Sequence, residues 1–454
     1  MTESTADVVV LGLGPGGEDV AGRLAEAGLS VVAVEAELVG GECPYWGCIP
    51  SKMMIRAGNL LAEGRRIPGM SGAAEVHPDF TPVARRIRDE ATDTWNDKVA
   101  VDRLAGKGAR VVKERGRLVG PHDVQMGAEV VHADRGIVIA TGTAPVIPAI
   151  DGLHGLPYWT NREAISTERV PDSLAVLGGG SIGLELAQMF ARFGSAITVV
   201  EGADRLVAIE EPEASALLHD VLCREGLTVH TDAKVTRVRL DGERFALSVD
   251  GADDVTADRL LVATGRRARL DDLGLEHVGL DPSSHSIDVD EHQRAAHDVW
   301  AVGDVTGKGA FTHVAMYQSR IAVASILGED GPPADYAALP RVTFTDPEVG
   351  AVGMTERQAK DAGIWVRTGT AQIPANARGW IHKAGNDGFI KVVEDADRGV
   401  LVGATSAGPV GGEALSGLAV AVRASVPVAT LRHSIWAYPT FHRGISEAIE
   451  DLLS

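Results

Sequence analysis

Residues 7–36 read DVVVLGLGPGGEDVAGRLAEAGLSVVAVEA. The unbroken apolar run from Val8 to Leu11 predicts a strand covered on both faces of a parallel sheet. A glycine turn follows it, then a helical stretch, then a second apolar run that stops at Glu35. Gly12, Gly14 and Gly17 fit the pattern G-x-G-x-x-G. In that pattern the first glycine permits the tight turn, the second lets the backbone approach a pyrophosphate, and the third lets helix pack on strand. The start of the helix would receive the phosphates on its unsatisfied N–H groups and positive dipole end. Glu35 stands 23 residues after Gly12, where a carboxylate accepts hydrogen bonds from ribose hydroxyls. The glycine spacing alone is a weak signal. With both flanking strands and the acid in place it predicts a nucleotide site.

The pattern returns at residues 173–202, SLAVLGGGSIGLELAQMFARFGSAITVVEG. Gly178, Gly180 and Gly183 repeat the spacing, and Glu201 again follows the first glycine by 23 residues. Each unit has a similar later strand, IVIATG at 137–142 and LLVATG at 260–265. Two bound dinucleotides imply electron transfer between them, and a nicotinamide and a flavin are the obvious pair. The carboxylate of Glu201 favours the free ribose 2′-hydroxyl of NADH and repels the extra phosphate of NADPH. Arg205 is nearby, but there is no basic cluster to offset that repulsion.

Residues 40–52, GGECPYWGCIPSK, hold two of the three cysteines in the chain, Cys43 and Cys48. No second pair exists to complete a zinc site, and a purely structural pair has no need of glycines on both sides. Redox chemistry is the remaining reading. The bounds agree with it. With 454 residues, the chain is long enough for about three domains of roughly 100–200 residues. A net charge of −20 opposes binding to nucleic acid or an anionic membrane. Three cysteines in such a length do not make a disulfide scaffold, and no secretory leader or long apolar run is evident, so a cytoplasmic protein is expected. The third cysteine, Cys223, lies in an amphipathic helical stretch and is expected to be a packing residue.

These motifs, in this order, resemble the FAD-dependent pyridine nucleotide–disulfide oxidoreductases, which include dihydrolipoamide dehydrogenase, glutathione reductase and mercuric reductase. The resemblance runs through GLGPGG, GGECPYWGCIPSK, GGGSIGLE, ATGRR and AVGDVTGKGAFTHVA, and covers nearly the whole chain. It implies an α/β fold with two Rossmann-like dinucleotide-binding domains and a C-terminal α+β dimerisation domain. The FAD domain would be split, residues 1–150 and 270–338, with the NAD(P) domain, 151–269, inserted and the interface domain at 339–454. A homodimer with active sites shared across the interface is implied, acting on a small-molecule electron acceptor. FAD would lie on Gly12, Gly14, Pro15, Gly16, Gly17 and Glu35. Gly40, Gly41, Glu42 and Gly142 would touch it through backbone, Gly116 would approach its adenine end, and Asp304 would bind its ribityl chain. Thr141 and Thr312 would complete that site. NADH would lie on Gly178, Gly180, Ser181, Ile182, Gly183 and Glu201, with Gly265 and Arg266 lining the site.

Carried over in the same way, Cys48 would be the thiol next to the flavin and Cys43 the thiol that meets the acceptor. The stretch after Pro50 looks helical, which would put Cys48 at a helix start, a position that favours thiolate. Lys52 would reach the flavin and pair with Glu185; the alternative is an ion pair between helix surfaces with no part in catalysis.

Two departures matter. Family members that reduce disulfides end in a His-Pro-x-x-x-Glu arrangement, in which the His protonates the leaving thiol and the Glu supports it. Here Tyr438 stands in the His position and Arg443 in the Glu position. A phenol, titrating near pH ~10, is a poor base at neutral pH but a competent hydrogen-bond donor. His442 either lies on the face of Tyr438 in a helix and substitutes for the missing acid–base, or is a surface residue. The second departure is Pro44, Tyr45 and Trp46 between the cysteines, which either narrow the substrate cleft or pack against the FAD domain. Three readings follow: NADH-driven reduction of a small disulfide or related sulfur compound; an NADH diaphorase that reduces a quinone from the flavin; or a redox sensor that keeps the fold without catalysis.

Overall fold

The computed structural model describes residues 2–454. The chain divides into two units, each gathered from three stretches: residues up to Ser51, Arg85–Val146 and Gly265–Asp335 in one, and Lys52–Ala84, Ile147–Thr264 and Tyr336–Ser454 in the other.

The first unit is built on strand β1 (Thr2–Leu11). It pairs in parallel with β2 (Val31–Val34), Val8 opposite Val31 and Leu11 opposite Val34. On its other side it pairs in parallel with Glu129–Ile139. The sheet continues outward to Val299–Ala301 on one flank and Arg110–Val112 on the other. The alternation along β1 explains its continuous apolar run. Val8 and Val10 pack with helix α1 (Pro15–Glu26) and helix Thr312–Leu327, while Val9 and Leu11 face the opposite layer, which holds Leu118, Val124 and Met126. Both faces are covered from Val8 to Leu11, so that run of the strand is apolar throughout, while the residues before it include exposed polar ones. Helix α1 starts with Pro15, whose fixed φ suits a first turn, and buries Val20, Ala21 and Leu24.

The second unit repeats the theme. Strands Ser173–Leu177, Ala196–Val200, Thr228–His230 and Arg259–Val262 form a four-stranded parallel sheet. A three-stranded antiparallel sheet, Lys234–Asp241, Arg244–Asp250 and Val255–Ala257, accompanies it. The same unit carries a five-stranded antiparallel sheet from Pro340–Thr343 to Val366–Gln372. Helix Gly444–Leu452 lies on that sheet through Ile445, Ala448, Ile449 and Leu452, a helical stripe. The fold is thus α/β, with two dinucleotide-binding sheets and a C-terminal α+β portion, the class predicted from the sequence.

One buried cation ties the second unit together. Lys391, on strand Phe389–Asp395, reaches Glu213 at 2.7 Å, Glu356 at 2.9 Å and Glu211 at 3.1 Å. Burial alone would depress its ammonium, but the hydrogen bonds to the three carboxylates hold it above the usual lysine range. Lys391→Met would strand the buried carboxylate of Glu211 without its counter-charge. Loss of one partner of a buried pair costs about 3–5 kcal/mol. We expect the urea midpoint of this variant to fall accordingly with an unchanged slope.

Candidate functional site

The first glycine turn joins β1 to α1. At Gly17 a Cβ would stand 2.0 Å from the carbonyl oxygen of Gly12, so only glycine permits this close crossing of helix and turn. Gly12 lies against the Ala140 carbonyl, and Gly16 against Ala315 and Val302. Gly14 differs: nothing stands within 4 Å of where its Cβ would be, and no side chain caps the helix there. The start of α1 therefore offers uncapped N–H groups on an open face, a cradle that fits a pyrophosphate. Glu35 accepts from the amide of Leu13 at 2.7 Å and from the amide of Glu37 at 2.7 Å. Burial pushes its carboxyl up, and the two amides oppose that shift.

The second turn has the same construction. A Cβ on Gly183 would stand 2.2 Å from the Gly178 carbonyl oxygen, while Gly180 faces open space and leaves helix Ser181–Arg192 uncapped. Glu201 accepts from the amides of Gly179 at 2.5 Å and Ala203 at 2.7 Å. Ser181 Oγ meets Thr343 Oγ1 at 2.7 Å, and the Ile182 side chain is exposed. Each carboxylate thus ties together its own glycine turn, a role the sequence pattern does not announce. The equal spacing of 23 residues in both units was the available signal.

The cysteine loop sits directly on the first turn. Gly41 has φ +64, and a Cβ there would lie 2.7 Å from the Cα of Gly14. The amide of Gly40 donates to the carbonyl of Leu13 at 2.7 Å. A single helical turn, α2 (Glu42–Tyr45), then carries Cys43, which is half-buried, and helix α3 (Cys48–Arg66) opens with Cys48, which is exposed. Cys48 Sγ lies 3.4 Å from Thr312 Oγ1, at the first residue of helix Thr312–Leu327. Tyr45 is buried and Trp46 stacks on Trp95, so the bulky residues between the cysteines pack within the first unit.

A polar network flanks this loop. Asp304 begins a short turn and accepts from Thr143 Oγ1 at 3.1 Å; burial holds its carboxyl above the usual range. Arg266 donates to Thr143 Oγ1 at 2.8 Å and stands 3.6 Å from Glu42. Arg266, expected on the nicotinamide site, is thereby placed in the first unit with Asp304 and Glu42. Thr141 donates to the carbonyl of Arg269, Gly142 faces open space, and the Gly265 carbonyl accepts from Val146. Gly116 packs against Leu11 and Val34. Gln318, fully buried, bonds both the Gly303 amide and Thr306 Oγ1 and so fixes the turn that bears Asp304. No local pattern marks Gln318 or Thr143 for this work.

In the second unit, Lys52 Nζ bonds Glu185 Oε2 at 2.8 Å. The other oxygen of Glu185 accepts from the amide of Phe344 at 2.8 Å, and the Phe344 ring lies 4.6 Å from the ammonium. Glu185 is buried, so its charge is held by two fixed donors rather than by solvent. Lys52 follows Cys48 by one turn on the same helix.

The structure decides one alternative at the C-terminal stretch and corrects one expectation elsewhere in the chain. Tyr438 and His442 do not share a helix face. Only Phe441–Arg443 forms a tight turn; Tyr438 precedes it, mostly exposed, with the Arg443 guanidinium over its ring at 5.5 Å. His442 is half-buried, its Nε2 3.3 Å from Thr440 Oγ1. A proline at 439 prevents the continuous helix that would have aligned the two. Cys223 is not a packing residue either: it lies on the exposed side of helix Pro212–Arg224, 4.0 Å from His219.

Residues 6–319 match the family model for pyridine nucleotide-disulphide oxidoreductase, and residues 339–449 match the dimerisation domain of the same family. A dihydrolipoyl dehydrogenase of Chlorobaculum tepidum is 34% identical, with 98% of this chain and 97% of the relative covered. A mercuric reductase of Streptomyces lividans is also 34% identical, covering 99% and 96%. Among solved structures, LpdA from Mycobacterium tuberculosis superimposes with a TM-score of 0.86 at 26% identity, over the full length of both chains. The HOCl-induced flavoprotein disulfide reductase RclA from Escherichia coli gives 0.86 at 26% identity, over 98% of this chain and 99% of that one. Two glycine turns of the same build, a cysteine loop seated on the first, and these likenesses along the whole length agree: the chain belongs to the pyridine nucleotide–disulphide oxidoreductases, flavoproteins that use FAD and NAD(P)H.

Proposed function

We propose that this protein passes electrons from NADH through FAD to a Cys43–Cys48 disulfide, and from there to a small disulfide or related sulfur acceptor. The observation that carries this reading is the seat of the cysteine loop on the dinucleotide turn, with Gly41 against Gly14 and Cys48 opening α3. Bound FAD supplies the exchange between hydride and electron-pair chemistry. Cys48, beside Thr312, is the thiol on the flavin side. Cys43 attacks the acceptor disulfide, breaking its S–S bond, forming a mixed disulfide and releasing one thiolate. Cys48 then attacks Cys43, restores the internal disulfide and releases the second. Lys52, held by Glu185 and Phe344, would supply positive charge to the bound FAD.

Each released thiolate needs a proton. The family dyad that delivers it is absent, and Tyr438 under the guanidinium of Arg443 stands in its place. His442 is the remaining candidate donor. The dimerisation model over residues 339–449 supports a homodimer, in which Tyr438 and His442 serve the other protomer's site. The replaced dyad also favours a second reading, a diaphorase that reduces a quinone from the flavin. We place the protein in the cytoplasm on its cysteine usage; among the described residues no helix is long and apolar enough to cross a membrane.

Steady-state turnover with NADH against lipoamide, glutathione disulfide and a quinone separates the readings. Tyr438→His with Arg443→Glu is expected to raise lipoamide turnover by about 10²-fold or more, the usual contribution of a placed acid–base. Wild-type lipoamide turnover unaltered by this change would instead mean that proton delivery does not limit the reaction.

The coenzyme preference has its own test. In this reading Glu201 would face the 2′-phosphate of NADPH, and the Arg205 guanidinium is committed to the carbonyls of Glu210 and Ala208. Flavin reduction is expected to be at least about tenfold faster with NADH than with NADPH, a difference of ~1.4 kcal/mol. Glu201→Gln, which keeps an acceptor for one of the two turn amides, is expected to narrow that ratio.

A further inference from the structure

Trp46 lies between the two cysteines, and its ring is stacked on Trp95, centroids 5.3 Å apart and planes within 21°. The backbone that presents Trp95 is unusual. Asp93, Thr94 and Trp95 have φ of 47°, 57° and 56°, three consecutive left-handed residues of which none is glycine and one is β-branched. Side-chain clashes disfavour that conformation at each of them. The turn is closed by the amide of Asn96 donating to the Thr92 carbonyl at 3.0 Å, and by the amide of Trp95 donating to Thr92 Oγ1 at 3.3 Å. Among the described residues the buried indole N–H of Trp95 has no hydrogen-bond partner, a further unfavourable feature. Neither hydrophobic layer of the sheet includes Trp95. What the strained turn achieves is a ring placed on Trp46. Just beyond it, Asp97 accepts from the amide of Val39 at 2.8 Å and pairs with Lys113, which also donates to the Glu37 carbonyl. The cysteine loop is therefore gripped before its glycines and again between its cysteines.

We propose that Trp95 is a positioning residue: its stack on Trp46 restrains the loop that spans Cys43 and Cys48 and thereby sets how readily their disulfide forms. The inference rests on the redox reading of that pair. Reduction of the disulfide takes two electrons and two protons, breaks the S–S bond and leaves two thiols; in that reading the electrons come from NADH. The reverse step is favoured when one sulfur is held at high effective concentration near the other. A loop pinned at Trp46 has few conformations in which the sulfurs part, so the disulfide is stabilised. Releasing the ring shifts the balance toward the dithiol.

The test uses the FAD-loaded enzyme equilibrated in mixtures of reduced and oxidised dithiothreitol, quenched by alkylation, with modified cysteines counted by mass. Trp95→Leu keeps apolar volume and removes the stack; Trp95→Phe keeps a stacking ring and removes the unpartnered N–H. Trp95→Leu is expected to shift the equilibrium about tenfold toward the dithiol, equivalent to about 30 mV. Trp95→Phe is expected to stay within about twofold of wild type and to raise the melting temperature. Trp46→Leu removes the same stack from the loop side and is expected to match Trp95→Leu, which keeps the test available if that variant does not fold. Leucine variants that titrate with wild type, or a phenylalanine variant displaced as far as leucine, would overturn the proposal while leaving the redox reading intact. A wild type whose Cys43 and Cys48 never titrate as a pair would overturn both.

Discussion

The contact between Gly41 and Gly14 is the constraint on which the rest of the site depends. A side chain at Gly41 would drive into the backbone of the dinucleotide turn at 2.7 Å, so the two segments can meet only with glycine at position 41. The amide of Gly40 on the Leu13 carbonyl and the amide of Leu13 on Glu35 extend that contact into a continuous hydrogen-bonded path. An uncapped glycine turn and a loop that bears two thiols are thereby joined by direct backbone contact. The chemistry proposed for the thiols follows from this geometry more than from their own sequence spacing.

The two dinucleotide units use the same physical solution and then diverge. In both, a carboxylate at the end of the second strand ties down the amide after the first glycine, and the helix start beyond is uncapped. After Glu35 the chain enters the cysteine loop. After Glu201 it enters a segment whose arginine, Arg205, is spent on backbone carbonyls. One repeat leads into a loop that bears two cysteines, and the other keeps its glycine turn and acidic residue without such a loop. The cluster around Lys391 shows that the net negative charge of the chain is not spread evenly over its surface: part of it is buried around a single ammonium.

The parts of this molecule that were legible in the sequence are those in which cause and effect lie close along the chain. The apolar run of β1, the glycine spacings and the acid 23 residues on each describe a local unit that folds around itself. The class of fold and the family followed from them. What the sequence did not show are partners brought in from far away. Phe344 reaches Glu185, Gln318 fixes the turn of Asp304, and Trp95 covers Trp46, each through pairings that no periodicity encodes. The same reason accounts for the expectation on Cys223 that did not hold and for the alternative on His442 that fell. Cys223 lies on a helix whose apolar side was legible, but which edge of that helix would be covered was not. His442 was aligned with Tyr438 only if one helix ran through Pro439, and the tight turn begins beyond it.

In the proposed cycle, electrons entering from NADH come to rest on Cys43 and Cys48 before they leave. Anaerobic titration of the FAD-loaded enzyme with NADH, followed by absorbance, tests it most directly. One equivalent should give wild type a long-wavelength thiolate-to-flavin charge-transfer band while the flavin remains largely oxidised, and a second equivalent should bleach the flavin. Cys48→Ser should bleach with the first equivalent and show no such band. A wild-type flavin fully bleached by one equivalent would mean that the cysteines take no electrons, and a charge-transfer band that persists in Cys48→Ser would mean that Cys48 is not the thiol beside the flavin.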